Sequence, residues 1–141
     1  MVSAAEPHRC PSYQADRADT VIGVVGPDGT VGFLSPGIPV TPALLDGLRR
    51  TAGPGHVEER FRFSGNCQEH GCGNWRGDHC GVIEDAMAEH DRAAGSVAVQ
   101  VGGPLSHCAI RSTCRWWAEH GRRACRTCPL VQTATYEFAA G

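Results

Sequence analysis

The sequence predicts an α+β fold: a small antiparallel sheet with a helix, joined to a loop-rich, cysteine-rich metal-binding half. Strand and hairpin patterns fill about the first sixty residues, and short helical patterns and turns replace them further on. Seven of the eight cysteines lie in that second region. Eighteen glycines and nine prolines indicate many loops, which bound metal ions would stabilise.

The N-terminal unit, residues 1–64, begins with a predicted hairpin. Strand-forming residues occupy 20–25 and 30–34. The turn between them contains Pro27, which fixes φ, and Gly29, which can adopt a positive φ. A helix is predicted next, because Thr41 is a good N-cap, Pro42 suits the first helical position and Gly53 is a typical C-terminal stop.

Two further strands are predicted for the same sheet. Residues 56–63 alternate between apolar and charged side chains, which places Phe61 and Phe63 on an apolar face and Arg60 and Arg62 on the opposite face. Residues 130–141 are predicted to form a C-terminal unit in which a strand over 130–138 returns to the sheet.

The middle region, residues 65–129, is predicted to bind metal and to contain two short helices. The first helix is expected where apolar residues and one histidine share a helical face: Val82, Ile83, Ala86, Met87 and His90. The second helix is expected over 112–120, and Gly121 should end it.

The compartment of the protein decides whether closely spaced cysteines are interpreted as disulfides or as metal ligands. The N-terminal sequence has no apolar core of signal-peptide length, and no stretch approaches the ~20 apolar residues that span a bilayer. This predicts a cytoplasmic protein outside the membrane. All thirteen basic residues are arginine, which is typical of a GC-rich bacterial genome. In a reducing compartment, closely spaced cysteines are more often metal ligands than disulfides.

The spacing of the cysteines favours an iron-sulfur cluster over zinc. Structural zinc is usually bound by two close cysteine pairs, whereas this sequence has one CysX2Cys, at Cys125 and Cys128. The wider spacings suit loops around a larger body. One or two 4Fe-4S clusters are therefore predicted, with zinc as the alternative. The predicted metal ligands are all eight cysteines: Cys10, Cys67, Cys72, Cys80, Cys108, Cys114, Cys125 and Cys128.

Two segments carry a resemblance to known proteins. The run from Cys125 to Pro129, Cys-Arg-Thr-Cys-Pro, resembles the end of a bacterial ferredoxin binding run, in which the last cysteine precedes proline. This resemblance implies iron-sulfur ligation. The full run CysX2CysX2Cys does not occur, so neither the ferredoxin fold nor its ligand assignments carry over. Residues 108–117 are similar to a segment of small bacterial cysteine-rich proteins.

Charge and aromatic residues support a cluster near the C-terminal cysteines. Residues 1–107 contain eight arginines and thirteen acidic residues, whereas residues 108–141 contain five arginines and two acidic residues. Such a positive field would offset the charge of a thiolate-bound cluster and raise its reduction potential. The predicted cofactor-surrounding residues are Arg111, Arg115, Trp116, Trp117 and Arg126. The alternative is a solvated arginine face beside two core tryptophans.

Several functions fit this pattern. The first is electron transfer with a redox partner protein. The second is a cluster enzyme acting on a small molecule at an open iron site, with Glu69, Asp78, His79 or His120 as candidate proton-transfer groups. The third is a structural or regulatory zinc module, in which His70, His79 or His107 could replace a thiolate. A net charge of −2 argues against nonspecific nucleic-acid binding.

Overall fold

The structure, a computed structural model, describes residues 8–94, 105 and 107–133. It confirms the α+β class. A four-stranded antiparallel sheet has the strand order β1-β4-β2-β3. Its strands are β1 (Arg9–Cys10), β2 (Thr20–Val25), β3 (Val31–Pro39) and β4 (Phe61–Asn66).

The predicted hairpin is confirmed as β2 and β3. Gly29 has a φ of 83°, the left-handed region that its position in the turn requires, and its N–H donates to the Gly26 carbonyl at 3.0 Å. Strand β3 continues beyond the predicted end to Pro39, so it pairs with the whole of β2.

The predicted helix is confirmed as α1 (Pro42–Ala52). The Thr41 hydroxyl accepts a hydrogen bond from Leu44 N at 3.1 Å, and Gly53 ends the helix with a φ of 74°. Three leucines of α1 pack against one face of the sheet, where Phe63 is buried: Leu44, Leu45 and Leu48.

The prediction of a strand over residues 56–63 was wrong at its start. A short 3-10 helix occupies Val57–Glu59, because Val57 is buried in the core and Glu58 accepts a hydrogen bond from Ala15 N at 2.9 Å. The strand therefore begins later, at Phe61. Arg62 lies on the face opposite the phenylalanines and is 1% exposed, because the cysteine-rich half covers that face of the sheet.

The cysteine-rich half consists of short elements. Its helix α2 follows the expected pattern, with Ile83 and Met87 buried and His90 within 3.3 Å of the Thr127 hydroxyl. A two-stranded hairpin and the final helix were not predicted. The elements are β5 (Trp75–Arg76), β6 (His79–Cys80), α2 (Gly81–Ala94), α3 (Arg115–His120) and α4 (Arg122–Thr127).

The helix predicted over 112–120 is divided. A 3-10 turn covers Arg111–Thr113, Cys114 is extended, and α3 then runs to Gly121, whose φ is 62°. The helical conformation is interrupted at Cys114 because this residue serves as the N-cap of α3.

The predicted C-terminal strand over 130–138 lies mostly outside the described residues. Leu130 ends a 3-10 helix, Cys128–Leu130, and residues 131–133 belong to no strand. Proline at position 129 suits the first turn of such a helix, because its missing N–H would have no partner there.

Among the described ranges, none of the helices combines the length and apolar character needed to cross a lipid bilayer.

Candidate metal centres

The eight cysteines are all free thiols, and the fold divides them into two groups of four. We name them the first quartet and the second quartet. The first quartet is Cys10, Cys67, Cys72 and Cys80. The second quartet is Cys108, Cys114, Cys125 and Cys128.

Neighbouring strands bring together Cys10 and Cys67 of the first quartet. Strand β1 lies at the sheet edge, with Cys10 opposite Gly65 of β4. Just beyond β4, the N–H of Cys67 donates to the His8 carbonyl at 2.8 Å. Sheet pairing therefore joins cysteines that are 57 positions apart in the sequence.

The small hairpin positions Cys72 and Cys80. Cys80 pairs with Trp75 across β5 and β6, and the Trp75 N–H donates to the Cys72 carbonyl at 3.1 Å. The N–H of Gly81 donates to the Asn74 carbonyl at 2.8 Å, which closes the loop behind Cys80.

Cys10 lies close enough to the other three thiols of the first quartet for their charge to affect its pKa. Burial raises the pKa of the Cys10 thiol to about 12, the Ser12 N–H lowers it, and charge on Cys67, Cys80 and Cys72 raises it. A thiol with the raised pKa of Cys10 is protonated at neutral pH unless a cation replaces the proton.

The second quartet surrounds a cavity of about 20 Å³. Room for about one water-sized sphere is available, so a four-iron cluster would have to push the lining side chains apart. The cavity is lined by the four cysteines together with Pro11, Phe33, Arg111, Trp116 and Ala124.

In the second quartet, burial and the charge of neighbouring thiols raise the pKa values of individual cysteines. Burial raises the pKa of Cys114 to about 12 and that of Cys128 to about 11. Charge on Cys108 raises both pKa values further. Burial likewise raises the pKa of Cys108, and the charge of Arg111 lowers it.

Backbone amides point at sulfur in both quartets. The N–H groups of the second and third residues after the cysteine lower the pKa of Cys80, Cys108 and Cys114. The Ser12 N–H does the same for Cys10, and Asn74 N lies 3.5 Å from the Cys72 sulfur. Hydrogen bonds of this kind stabilise the thiolate, which is the form that binds metals.

Arg62 is a site residue that the sequence analysis missed. Its Nη1 donates to the Cys128 sulfur at 3.3 Å and to the Pro11 carbonyl at 3.2 Å. Its Nη2 donates to the carbonyls of Cys128, at 3.0 Å, and Val131. The only signal in the sequence is an arginine between two phenylalanines in a strand, which alternation assigns to solvent.

Trp116 lies between the two quartets. Its side chain is 1% exposed and lines the cavity of the second quartet. Its indole N–H, which makes no hydrogen bond of ordinary geometry within the described ranges, lies near the Cys80 sulfur and lowers the pKa of that thiol. The predicted role of Trp116 beside a cofactor therefore has a geometric basis for both groups.

The other predicted cofactor-surrounding residues divide between the groups. Arg111 lines the cavity of the second quartet, and its guanidinium carbon is 5.9 Å from the centre of the Trp117 ring. Arg115 lies near the first quartet instead, because it binds Glu69 at 2.5 Å and is 5.0 Å from the centre of the Trp75 ring. Arg126 is partly buried on α4 and does not line that cavity.

The candidate proton-transfer residues lie in two chains of charged contacts: Asp78 with His79, and Glu69 with His120 through Arg115 and Glu119. Asp78 is 94% exposed and accepts from His79 at 2.8 Å, which raises the pKa of His79. Glu69 is occupied by Arg115. His120 Nε2 lies 3.8 Å from Glu119. His70 contacts Trp75 edge-on, and His107 is exposed.

Glu119 is a second residue that the sequence analysis missed. Both of its carboxylate oxygens accept from Cys80 N, at 3.1 and 3.2 Å, and its charge raises the pKa of the Cys80 thiol. One helix turn separates it from Arg115, whose Nε is 4.0 Å away. The i, i+4 spacing of Arg115 and Glu119 was the available signal.

Within the described ranges, no group of three or more histidine, cysteine, aspartate or glutamate side chains is arranged to hold a single metal ion. The chain matches no family model, no curated protein and no solved structure. Its function is therefore argued from its own residues.

Proposed function

We propose that this protein is an iron-sulfur protein with one 4Fe-4S cluster on each cysteine quartet and that it acts in electron transfer. The observation that carries the proposal is the division of all eight cysteines into two groups of four, each with backbone amides directed at sulfur. Four thiolates are the ligand set of a cubane, and hydrogen bonds to sulfur tune its potential.

Several features of the surroundings support cluster binding. Apolar and aromatic side chains cover the second quartet, which limits access of water and oxidants: Phe33, Trp116 and Ala124. Arg62 and Arg111 supply positive charge beside thiolates that are otherwise costly to bury. Both quartets are built from short elements and loops, whose conformation a bound cluster would stabilise.

Electron transfer needs a docking face rather than a substrate pocket. Arg122 and Arg123 are exposed on α4, next to the second quartet in sequence, and an acidic redox partner would compete with Asp91 for Arg123. Reduced thiols and cluster chemistry also fit a cytoplasmic location. An enzyme acting on a small molecule is less well supported, because Glu69, Asp78, His79 and His120 are each engaged by a neighbouring charged side chain.

Zinc is the second candidate, and the size of the cavity favours it. A volume of about 20 Å³ suits an ion better than a cubane. Tetrahedral zinc-thiolate bonds of about 2.3 Å require sulfurs about 3.8 Å apart. Zinc at both quartets would make the protein a structural or interaction module.

Metal analysis of anaerobically purified protein tests the proposal. About eight irons and eight sulfides per chain, with brown colour that bleaches on dithionite addition, is the expected result. About two zinc ions in a colourless protein would establish the zinc module instead. Full-length folded protein with neither metal, after reconstitution with iron and sulfide, would overturn both.

A further inference from the structure

A groove whose lining contains none of the eight cysteines lies between α2 and the 3-10 helix that follows α4. Its volume is about 580 Å³, within the range of about 300–1,000 Å³ that small-molecule sites occupy. Its apolar side chains come from both walls: Val82 and Ala86 from α2, and Leu130 and Val131 from the opposite side. We name it the α2 groove.

The apolar part of the α2 groove includes a leucine that contacts solvent. Leu130 is 51% exposed, more than any other large apolar side chain in the part of the chain that the structure describes. Next to it, Val131 is buried at 8% exposure and closes the back of the groove. Removing apolar surface from water is favourable, so a ligand with an apolar body would be stabilised against Leu130.

His90 supplies a hydrogen-bond acceptor to the same groove. The Thr127 hydroxyl donates its single proton to the Arg123 carbonyl at 3.2 Å, so its oxygen accepts from His90 Nδ1, which is 3.3 Å away. A neutral histidine with its proton on Nδ1 has a lone pair on Nε2. Nε2 accepts from none of the described residues. Because His90 lines the groove, a ligand there meets an acceptor.

The charged side chains of the α2 groove give it an acidic balance. Asp85 and Glu89 are one turn apart on α2, and their like charges repel each other. Arg76 is the single guanidinium of the described lining, and it is shared between Asp85 and Glu84. Two carboxylates therefore line the groove against one guanidinium, to which a further carboxylate is bound.

Glu89 is the carboxylate that a ligand can reach most easily. Its side chain is 71% exposed and pairs with Arg92, which is 73% exposed, at 2.5 Å. Ion pairs this accessible to water contribute little, because solvent screens them. Arg92 does not line the groove, so a cation bound in the groove would compete with it for Glu89 at little cost.

We infer that the α2 groove binds a small amphipathic amine, whose ammonium group pairs with Glu89 and donates to His90 Nε2 while its apolar body covers Leu130. The charge of the groove complements a cation, and His90 accepts the proton that an ammonium group offers. A carboxylate ligand would meet like charge and would find no donor at His90. The inference involves none of the eight cysteines, so it does not depend on the proposed function.

Matched probes test the class of ligand. Phenylbutylamine, phenylbutanol and phenylbutyrate share an apolar body and differ in the polar end. Isothermal titration calorimetry of the full-length protein should show the amine binding about tenfold more tightly than the alcohol, with the carboxylate binding most weakly. Failure of the amine to bind, or equal binding of the alcohol or carboxylate, would overturn the inference.

Variants at exposed positions test the role of charge. Glu89→Gln should weaken binding of phenylbutylamine about threefold and leave the affinity for phenylbutanol unchanged. Asp91→Asn is the matched control, because Asp91 is exposed on the same helix, binds Arg123 and lies outside the described lining of the groove. It changes the net charge equally and should leave both affinities unchanged. Equal amine affinities of the two variants would overturn the assignment of Glu89.

Nuclear magnetic resonance tests the place of binding. Phenylbutylamine should shift the resonances of the His90 imidazole and the Leu130 methyl groups. Those of Ile38, an exposed apolar residue on β3, should stay unchanged. Shifts at Ile38 without shifts at Leu130 would overturn the assignment of the groove. A dimer that becomes monomeric only in Leu130→Gln would also overturn it, since a second copy of the chain would then occupy the groove.

Discussion

The guanidinium of Arg62 donates to the sulfur of Cys128 at 3.3 Å, with the arginine 1% exposed. Strand β4 supplies the arginine, and the turn after α4 supplies the cysteine. This contact fastens the cysteine-rich half to the sheet and places a positive charge against a candidate metal ligand. A cation buried there is tolerated because every described acceptor around it is a carbonyl oxygen or sulfur.

Replacing Arg62 with methionine should destabilise the protein strongly. Methionine fills a similar volume but leaves the buried carbonyls of Pro11 and Val131 without the donor that Arg62 supplies, each at a cost of about 1–3 kcal/mol, whereas the Cys128 carbonyl keeps the Val131 N–H. The free energy of unfolding, measured with urea, should fall by about 3 kcal/mol or more.

Arg60 is the matched control for that substitution, because it is exposed two residues earlier in the chain. Arg60→Met should change the free energy of unfolding by no more than about 0.5 kcal/mol. Equal stability of the two variants would show that the hydrogen bonds of Arg62 do not support the fold.

Gly81→Ala should impair the first quartet selectively. A Cβ at position 81 would lie 2.6 Å from Arg76 Nε and 2.8 Å from the Asn74 carbonyl oxygen. The arginine can move, but the carbonyl is backbone of the loop that positions Cys80. Iron content should fall towards half of the wild-type value, with the second cluster's signal retained.

Gly73 offers the control, since a Cβ there would meet nothing within 4 Å. Gly73→Ala changes the same loop and should retain both signals. If Gly81→Ala bound as much metal as Gly73→Ala, the loop would not control the geometry of Cys80.

Metal-free protein should show two classes of thiol towards an alkylating reagent. Cys114 and Cys128 are buried, and burial raises their pKa values to about 12 and about 11, so little thiolate is present at pH 8. Cys67 and Cys72 are partly exposed. Mass spectrometry of the folded protein should find label first on Cys67 and Cys72, with at least tenfold slower labelling of the buried pair.

Uniform labelling would contradict that difference, provided that circular dichroism shows the metal-free protein to be folded. Denatured protein is the control, because its eight thiols should react at similar rates.

Local sequence signals predicted the elements that local interactions determine. The β2–β3 turn depends on Gly29, and α1 depends on its cap at Thr41, so both could be recognised within a few residues. The two-residue strands β1, β5 and β6 have no such signal. Strand β1 exists because distant segments pair, as Cys10 does with Gly65, whereas β5 and β6 pair with each other across a short turn.

The grouping of the cysteines could not be predicted from the sequence. Cysteine content predicts metal binding, which stays a prediction, whereas the proximity of Cys10 to Cys80 follows from sheet pairing and the small hairpin. Alternation places Arg62 opposite the phenylalanines but cannot show that this second face of the sheet is also covered. The position of Trp116 between the quartets likewise depends on tertiary packing, so the sequence pattern could not predict it.

The grouping itself yields the most direct prediction. Cys72→Ser and Cys125→Ser each remove a thiolate from a different quartet, so each should lose one centre and keep the other. Iron and sulfide should fall to about half of the wild-type content in each single variant and nearly to zero in the double variant. Asp46→Asn, at an exposed position on α1, should retain full metal and colour. If one of the single variants lost all its metal, the eight cysteines would instead serve one interdependent centre, and if Cys125→Ser lost none, its assignment as a ligand would be wrong.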